Sequence, residues 1–160
     1  MRIGHSYDVH RLVESRPLIL GGVRIDHPTG LLGHSDADVV YHVVSEAIIG
    51  ALGLGDLGTH FSDRDPKYLN VDSSYFVKEA VKMMKSANYV VANIDLTIFL
   101  ELPILKDYKP LIKNNISQLL EIMPSQVNVK ATRGEGLGFI GRQEGIASEA
   151  VVLLIEKEGH

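Results

Sequence analysis

Asp8 and His10, in RIGHSYDVH, and His42, in HSDADVVYH, carry the side chains of this sequence best suited to holding a metal ion. Side chains of an extended strand alternate between its faces, so Asp8 and His10, at i and i+2, point the same way. A third ligand must come from elsewhere, and His42, a turn or two inside an expected helix, offers an imidazole on a rigid element. One carboxylate and two imidazoles suit zinc, and three protein ligands leave a fourth tetrahedral position for water or substrate, the pattern of a catalytic ion. A metal-free alternative stays open in a chain with seven histidines: an Asp-x-His at a strand end and a solvated helix histidine.

A second set lies in ATRGEGLGFIGR, residues 131–142. Its four glycines let backbone amides approach a ligand, while Thr132, Arg133, Glu135 and Arg142 add a hydroxyl, two guanidinium groups and a carboxylate. Phosphate recognition is the natural chemistry. A glycine-rich hairpin with solvated charges is the alternative, because the segment is neither a Walker motif nor a dinucleotide fingerprint. Glu135 bears on the choice: a carboxylate beside phosphate is repulsive unless a divalent cation lies between them, which favours a site holding both.

The elements that must position these groups follow from periodicity. RIGHSYDVH alternates Ile3, Tyr7 and Val9 against Arg2, Asp8 and His10, and Leu18 to Ile25 has strand composition broken by Gly21-Gly22, so two early strands are expected. Ser35-Asp36-Ala37-Asp38 reads as a capped helix start, after which Val39, Val40, Val43, Val44, Ala47, Ile48 and Ala51 form a stripe of helical period with His42 off it. Residues 55–72 read as a long polar loop, of the kind that is often functional. A second helix is expected from about Ser73 to Asn88, a strand from Tyr89 to about Leu102, a third helix from about Lys109 to Met123, and strands over Gln126–Thr132 and Gly145–Glu156. That order predicts an α+β fold, with helices on one face of a mixed sheet.

At 160 residues the chain has the length of one domain, and a single domain over 1–160 is expected. With 45% hydrophobic and 22% charged residues and a mean hydropathy of +0.07, it leans apolar for a soluble protein, which suggests apolar surface buried between subunits. A net charge of -4 argues against a general nucleic-acid binder, though not against a small phosphorylated ligand. The absence of cysteine excludes disulfides and thiolate ligands and fits a reducing compartment. The first residues hold no apolar signal core, and Val151 to Ile155 is too short to span a bilayer, so no membrane partner is expected. A cytoplasmic location, or a mature form freed of a transit peptide, follows.

Taken in order, DVHRL, LLGHSDADVVYH, GDLGTHFSDRDP, NVDSS, the NIDLTI strand and VNVKAT with EGLGFIGRQEGIA closely resemble the 2-C-methyl-D-erythritol 2,4-cyclodiphosphate synthase family of non-mevalonate isoprenoid synthesis, over essentially the whole chain. The resemblance implies a compact α+β homotrimer with active sites between subunits. It also implies conversion of 4-diphosphocytidyl-2-C-methyl-D-erythritol 2-phosphate to the cyclic diphosphate, with release of CMP. By match to the family pattern, Asp8, His10 and His42 would bind zinc, and Glu135 would bind a second divalent ion, magnesium or manganese, across the diphosphate. His34 and Arg133 fall at positions acting on the transferring phosphate. Substrate contacts would come from Asp8, His10, His34 and Ser35, and from Asp56, Leu57, Gly58, Phe61, Ser62, Asp63 and Asp65 around the methylerythritol. Leu100, Glu101, Leu102, Pro103, Ile104, Leu105 and Lys106 match the loop receiving cytidine and its phosphates. Thr132, Arg133, Gly134, Glu135, Phe139 and Arg142 complete the matched contacts.

Two positions depart from that pattern. The family has a run of threonines before the glutamate, whereas here Thr132 is followed by Arg133 and Gly134, and its lysine after Pro103 is replaced by Ile104, with Lys106 close by. Arg142 with Glu149 matches a pair lining the trimer axis, either as ligand contacts or as a buried ion pair. Two alternatives of other classes remain at this level: a zinc-dependent phosphodiesterase, and a catalytically weak trimer that binds phosphorylated isoprenoid metabolites.

Overall fold

Strand β1 (Arg2–Glu14) alternates as the sequence predicts, but its apolar set is the outward one. Ile3, Tyr7 and Val9 are 71%, 50% and 43% exposed, whereas Gly4 and Ser6 are buried and Asp8 and His10 half-buried. Helix α1 (Val39–Ala51) causes this by lying so close over β1 that only a glycine fits beneath it. A Cβ on Gly4 would come 1.8 Å from the Ala47 carbonyl oxygen. Asp8 and His10, in register with Gly4 and Ser6, therefore face α1. The computed structural model describes residues 1–157.

Helix α1 begins at Asp38, whose carboxylate accepts from the Val40 and Tyr41 amides and also from Gly21 and Gly22. Burial pushes this carboxyl up to about 6, even though all four N–H groups favour its ionised form. The expected stripe is buried, and so are Tyr41, Ser45 and Ile49, because α1 is covered on both sides. The Leu18 to Ile25 segment is a hairpin of β2 (Leu18–Leu20) and β3 (Val23–Ile25), not one broken strand. Gly21 and Gly22 both have positive φ, the backbone a tight two-residue turn requires. Strand β4 (Thr29–Leu31), not anticipated, pairs with the end of β1.

The expected polar loop holds a short helix α2 (Leu57–His60) and a 3-10 turn (Pro66–Tyr68), each started by an aspartate side chain, Asp56 and Asp65. Helix α3 (Ser74–Ser86) buries Phe76, Val77, Ala80, Val81 and Met84. Strand β5 (Tyr89–Phe99) stops three residues before the expected end. Helix α4 (Lys109–Leu120) stops where Glu121 turns left-handed. Strand β6 (Val127–Thr132), a one-turn helix α5 (Gly138–Gly141) and strand β7 (Gly145–Glu156) follow among the described residues.

The sheet order is β4-β1-β7-β5-β6, antiparallel except between β5 and β6, so the α+β architecture with a mixed sheet is as expected. Helices α1, α3 and α4 bury one core with Ile94, Leu96 and Ile98 of β5 and Val152 and Leu154 of β7. Because β1, β5 and β6 run the same way, their carboxyl ends meet at one end of the sheet. Candidate residues from all three lie toward that end.

Candidate metal centre and substrate clefts

His42 sits in the first turn of α1, its amide bonded to the Asp38 carbonyl, and the ring descends toward β1. Asp8 Oδ2, His10 Nε2 and His42 Nδ1 form a triangle with sides of 3.0, 3.1 and 3.2 Å. A tetrahedral ion with bonds of about 2.0–2.1 Å needs ligand separations of about 3.3–3.4 Å, so small outward shifts would seat zinc. The three side chains are 32%, 17% and 12% exposed, shielded yet open on one side.

The outer hydrogen bond of His10 identifies which of its ring nitrogens carries a proton. His10 Nδ1 lies 2.8 Å from the Leu32 carbonyl, which only accepts, so Nδ1 donates and Nε2 presents its lone pair. His42 Nε2 lies 3.1 Å from the hydroxyls of both Ser35 and Ser73, leaving Nδ1 toward Asp8. One nitrogen from each imidazole and a carboxylate oxygen thus converge on one point, an arrangement that suits a cation. Burial pushes the Asp8 carboxyl up, but the two imidazoles outweigh it and hold it well below the usual carboxylate range. Burial also works to lower the His10 pKa, and Asp8 outweighs it, so that pKa is raised.

The triad opens into a cleft of about 350 Å³ whose walls include His34, Ser35, Leu57, Phe61, Ser62 and Asp63. The structure brings these residues together, without Asp56, Gly58 and Asp65 among the walls, and adds Tyr68 and Phe76, which the sequence alone did not single out. Phe76 meets the His42 ring edge-on at 5.8 Å, and Phe61 stacks within 6 Å of Tyr68, Tyr75 and Phe76. Their only sequence signal was aromatic content flanking the polar loop. His34 Nε2 donates to the Asp65 carbonyl at 3.0 Å. Asp56 caps α2 through the Thr59 amide and hydroxyl, which leaves Gly58 in the exposed turn above.

A second cleft, of about 200 Å³, joins residues 100, 101 and 103–106 to Ala131, Thr132 and Arg133, with Lys109 as a further wall residue. Leu102 and Ile104 are 41% and 74% exposed at its rim. Here the Arg133 Nη2 and the Gly134 amide donate to the carboxylate of Glu101, at 2.6 and 2.9 Å. The glycine-rich turn therefore already holds a carboxylate of its own chain, and Arg133 keeps Glu101 below the usual carboxylate range. Glu135 is exposed with a left-handed backbone and belongs to no three-group convergence of His, Asp and Glu among the described residues. Phe139, on α5, lines a separate open cavity together with Val9 and His10. Within the chain Arg142 pairs with Glu144, and Glu149 with His5 at 2.7 Å, so the Arg142–Glu149 pair is not formed. Arg142 precedes β7, whereas Glu149 projects from its middle onto the outward face.

The two clefts are separated along one transverse row of the sheet, Asp8–Ser148–Ile98–Ala131. Three interstrand steps of about 4.8 Å put their walls ~14 Å apart within one chain.

A mixed sheet covered by helices on one face, with an Asp-His-His set able to hold a metal at the mouth of a polar and aromatic cleft, defines an α+β enzyme with a candidate metal site. The chain belongs to the YgbB family, whose model matches residues 1–155. It is 53% identical over 156 residues to the 2-C-methyl-D-erythritol 2,4-cyclodiphosphate synthase of Geobacillus sp. (strain WCH70), covering 98% of this chain and 99% of that one. Among solved structures it matches the bifunctional IspDF of Campylobacter jejuni with a TM-score of 0.94 at 41% identity, covering 98% of this chain but 42% of that longer one. It also matches a CDP complex of IspF from Plasmodium falciparum with a TM-score of 0.86 at 38% identity, covering 98% and 97%.

Proposed function

We propose that this chain is a phosphorus-oxygen lyase that cyclises 4-diphosphocytidyl-2-C-methyl-D-erythritol 2-phosphate to 2-C-methyl-D-erythritol 2,4-cyclodiphosphate, releasing CMP. The observation that carries the proposal is the triangle of ligand atoms from Asp8, His10 and His42 beside a polar cleft, in a chain similar over nearly its full length to synthases of that name. The 2-phosphate attacks the β-phosphorus, the bond from that phosphorus to the α-phosphate oxygen breaks, and the electron pair leaves with CMP. The nucleophile is already ionised at neutral pH, so no strong base is needed. Repulsion is the obstacle, about 4 kcal/mol for each pair of unit charges 4 Å apart at an effective dielectric near 20.

Asp8, His10 and His42 would hold zinc, which when bound would supply positive charge to the phosphoryl group under attack. His34 and Ser35, at the entry to α1, orient the phosphates over the triad. Phe61, Ser62 and Asp63 close the methylerythritol end and hold the chain folded for ring closure. Residues 100–106 receive the cytidine, with Lys106 and Lys109 beside its phosphates. Glu135 would hold a second divalent ion, magnesium or manganese, which would add positive charge across the diphosphate.

The subunit acts as a homotrimer in which the metal cleft of one chain faces the cytidine cleft of the next. The ~14 Å between the clefts within a chain and the exposed apolar row of Ile3, Tyr7, Val9 and Val151 support this. The whole chain forms one synthase domain and works in the cytoplasm. No described helix is long and apolar enough to cross a membrane. Incubation with the diphosphocytidyl substrate tests the reading: phosphorus NMR should show a cyclic diphosphate with equimolar CMP. An uncyclised phosphate product would mark a hydrolase, and tight binding without CMP release a carrier.

A further inference from the structure

Ser73 stands at the N-cap position of α3, where a serine hydroxyl ordinarily accepts from an amide of the first turn. It makes no such bond. Its Oγ instead lies 2.5 Å from Asp36 Oδ1 and 3.1 Å from His42 Nε2, and the Ser73 amide donates to Asp36 Oδ2. The hydroxyl is fully buried, so these contacts are not a surface accident. A serine in this place forgoes about 1 kcal/mol of capping, which calls for a role elsewhere.

The proton count decides that role. A carboxylate oxygen only accepts, so the single Ser73 hydroxyl hydrogen goes to Asp36 and its oxygen is left to accept, from His42 and from the Ser35 hydroxyl 3.3 Å away. For the 3.1 Å Ser73–His42 contact to be a hydrogen bond, His42 Nε2 carries the ring proton and Nδ1 is the bare nitrogen. Ser35 Oγ, also 3.1 Å from Nε2, does not settle the matter, because its own hydrogen can rotate toward the ring or away. We propose that Ser73, locked by Asp36, is a positioning residue that fixes the His42 tautomer so that Nδ1 faces Asp8 and His10 ready to take a metal. The inference rests on the metal reading of the triad, and the Asp36–Ser73–His42 chain is the outer support that such a ligand requires. Leu32 does the same for His10 through its carbonyl.

The test uses Ser73→Ala, with Ser73→Thr as the variant that keeps a hydroxyl. In metal-free wild-type protein, long-range proton–nitrogen NMR of His42 should show the proton on Nε2. A neutral His42 protonated on Nδ1 would overturn the proposal whatever the fate of any variant. Zinc affinity, measured by competition with a chromophoric chelator, should fall about 10- to 100-fold in Ser73→Ala, and Ser73→Thr should restore most of it. Unchanged affinity in a folded Ser73→Ala protein would also overturn it. Failure of the metal reading itself looks different: wild-type and His42→Ala proteins would then take up zinc equally, while the tautomer measurement would still decide the role of Ser73.

Discussion

Substituting Gly4 by Ala should both destabilise the protein and loosen its metal centre, through one contact. The new Cβ would lie 1.8 Å from the Ala47 carbonyl oxygen, 2.9 Å from its carbon and 2.9 Å from the Ala51 Cβ. None of these is the far end of a flexible side chain, so no rotamer change relieves the clash. Restoring even a tight 3.0 Å contact requires α1 to retreat from β1 by about 1.2 Å. Overpacking of this kind costs about 1–3 kcal/mol, and here the backbone must move, so the upper end applies. At roughly 2–4 °C per kcal/mol for a protein of this size, the melting temperature should fall by roughly 6–12 °C. The same retreat carries His42, whose Nδ1 is 3.1 Å from His10 Nε2 and 3.2 Å from Asp8 Oδ2, beyond the reach of a four-coordinate ion. Zinc affinity should drop by about 10-fold or more. Gly50→Ala, on the same helix with nothing within 4 Å of the new Cβ, is the matched control. It should stabilise by up to about 1 kcal/mol, since glycine is a poor helix former. Calorimetry and chelator competition on both variants check this. A Gly4→Ala protein with wild-type melting temperature and zinc affinity would refute the claim that the glycine sets the spacing between β1 and α1.

Co-expressed His42→Ala and Arg133→Ala chains should regain activity at about a quarter of interfaces, because their lesions fall in different clefts. His42→Ala with Phe61→Ala should regain none at interfaces, because both line one cleft. Arg133→Ala should lower turnover about ten- to a thousand-fold, with Arg133→Thr recovering part; unchanged steady-state kinetics would leave the guanidinium to Glu101 alone. The Asp38 carboxyl should titrate near 6 by carbon-13 NMR, since burial raises it from 3.8. Its share of stability is then fully present below the ordinary range and lost as pH rises through about 6, and an Asp38→Asn variant should lack that decline.

Local periodicity made much of this molecule legible. The i, i+2 spacing of Asp8 and His10 and the helical stripe around His42 predicted both the elements and the shared direction of the ligands. Pattern alone could not say which face of β1 is the inner one, because Gly4 and Ser6 win that face by allowing close approach of α1. Gly21-Gly22 was visible as an interruption, but only backbone handedness distinguishes a hairpin from a broken strand. Ser73 carried the signal of a helix start, and that signal hid its contact with His42, 31 residues away. Arg133 and Glu101 are 32 residues apart and meet only because β5 and β6 run parallel and end together. Contacts of that kind are written in topology, which the order of residue types does not disclose.

The proposed chemistry stands most directly on the Asp8, His10 and His42 centre. Protein stripped of metal, supplied with magnesium and the diphosphocytidyl substrate and followed by phosphorus NMR, should leave the substrate intact. Adding about one equivalent of zinc per chain should then produce cyclic diphosphate and CMP in equal amounts, and the His42→Ala protein should not respond. Cyclic product formed at the full rate before zinc is added, or an equal response from His42→Ala, would contradict the account.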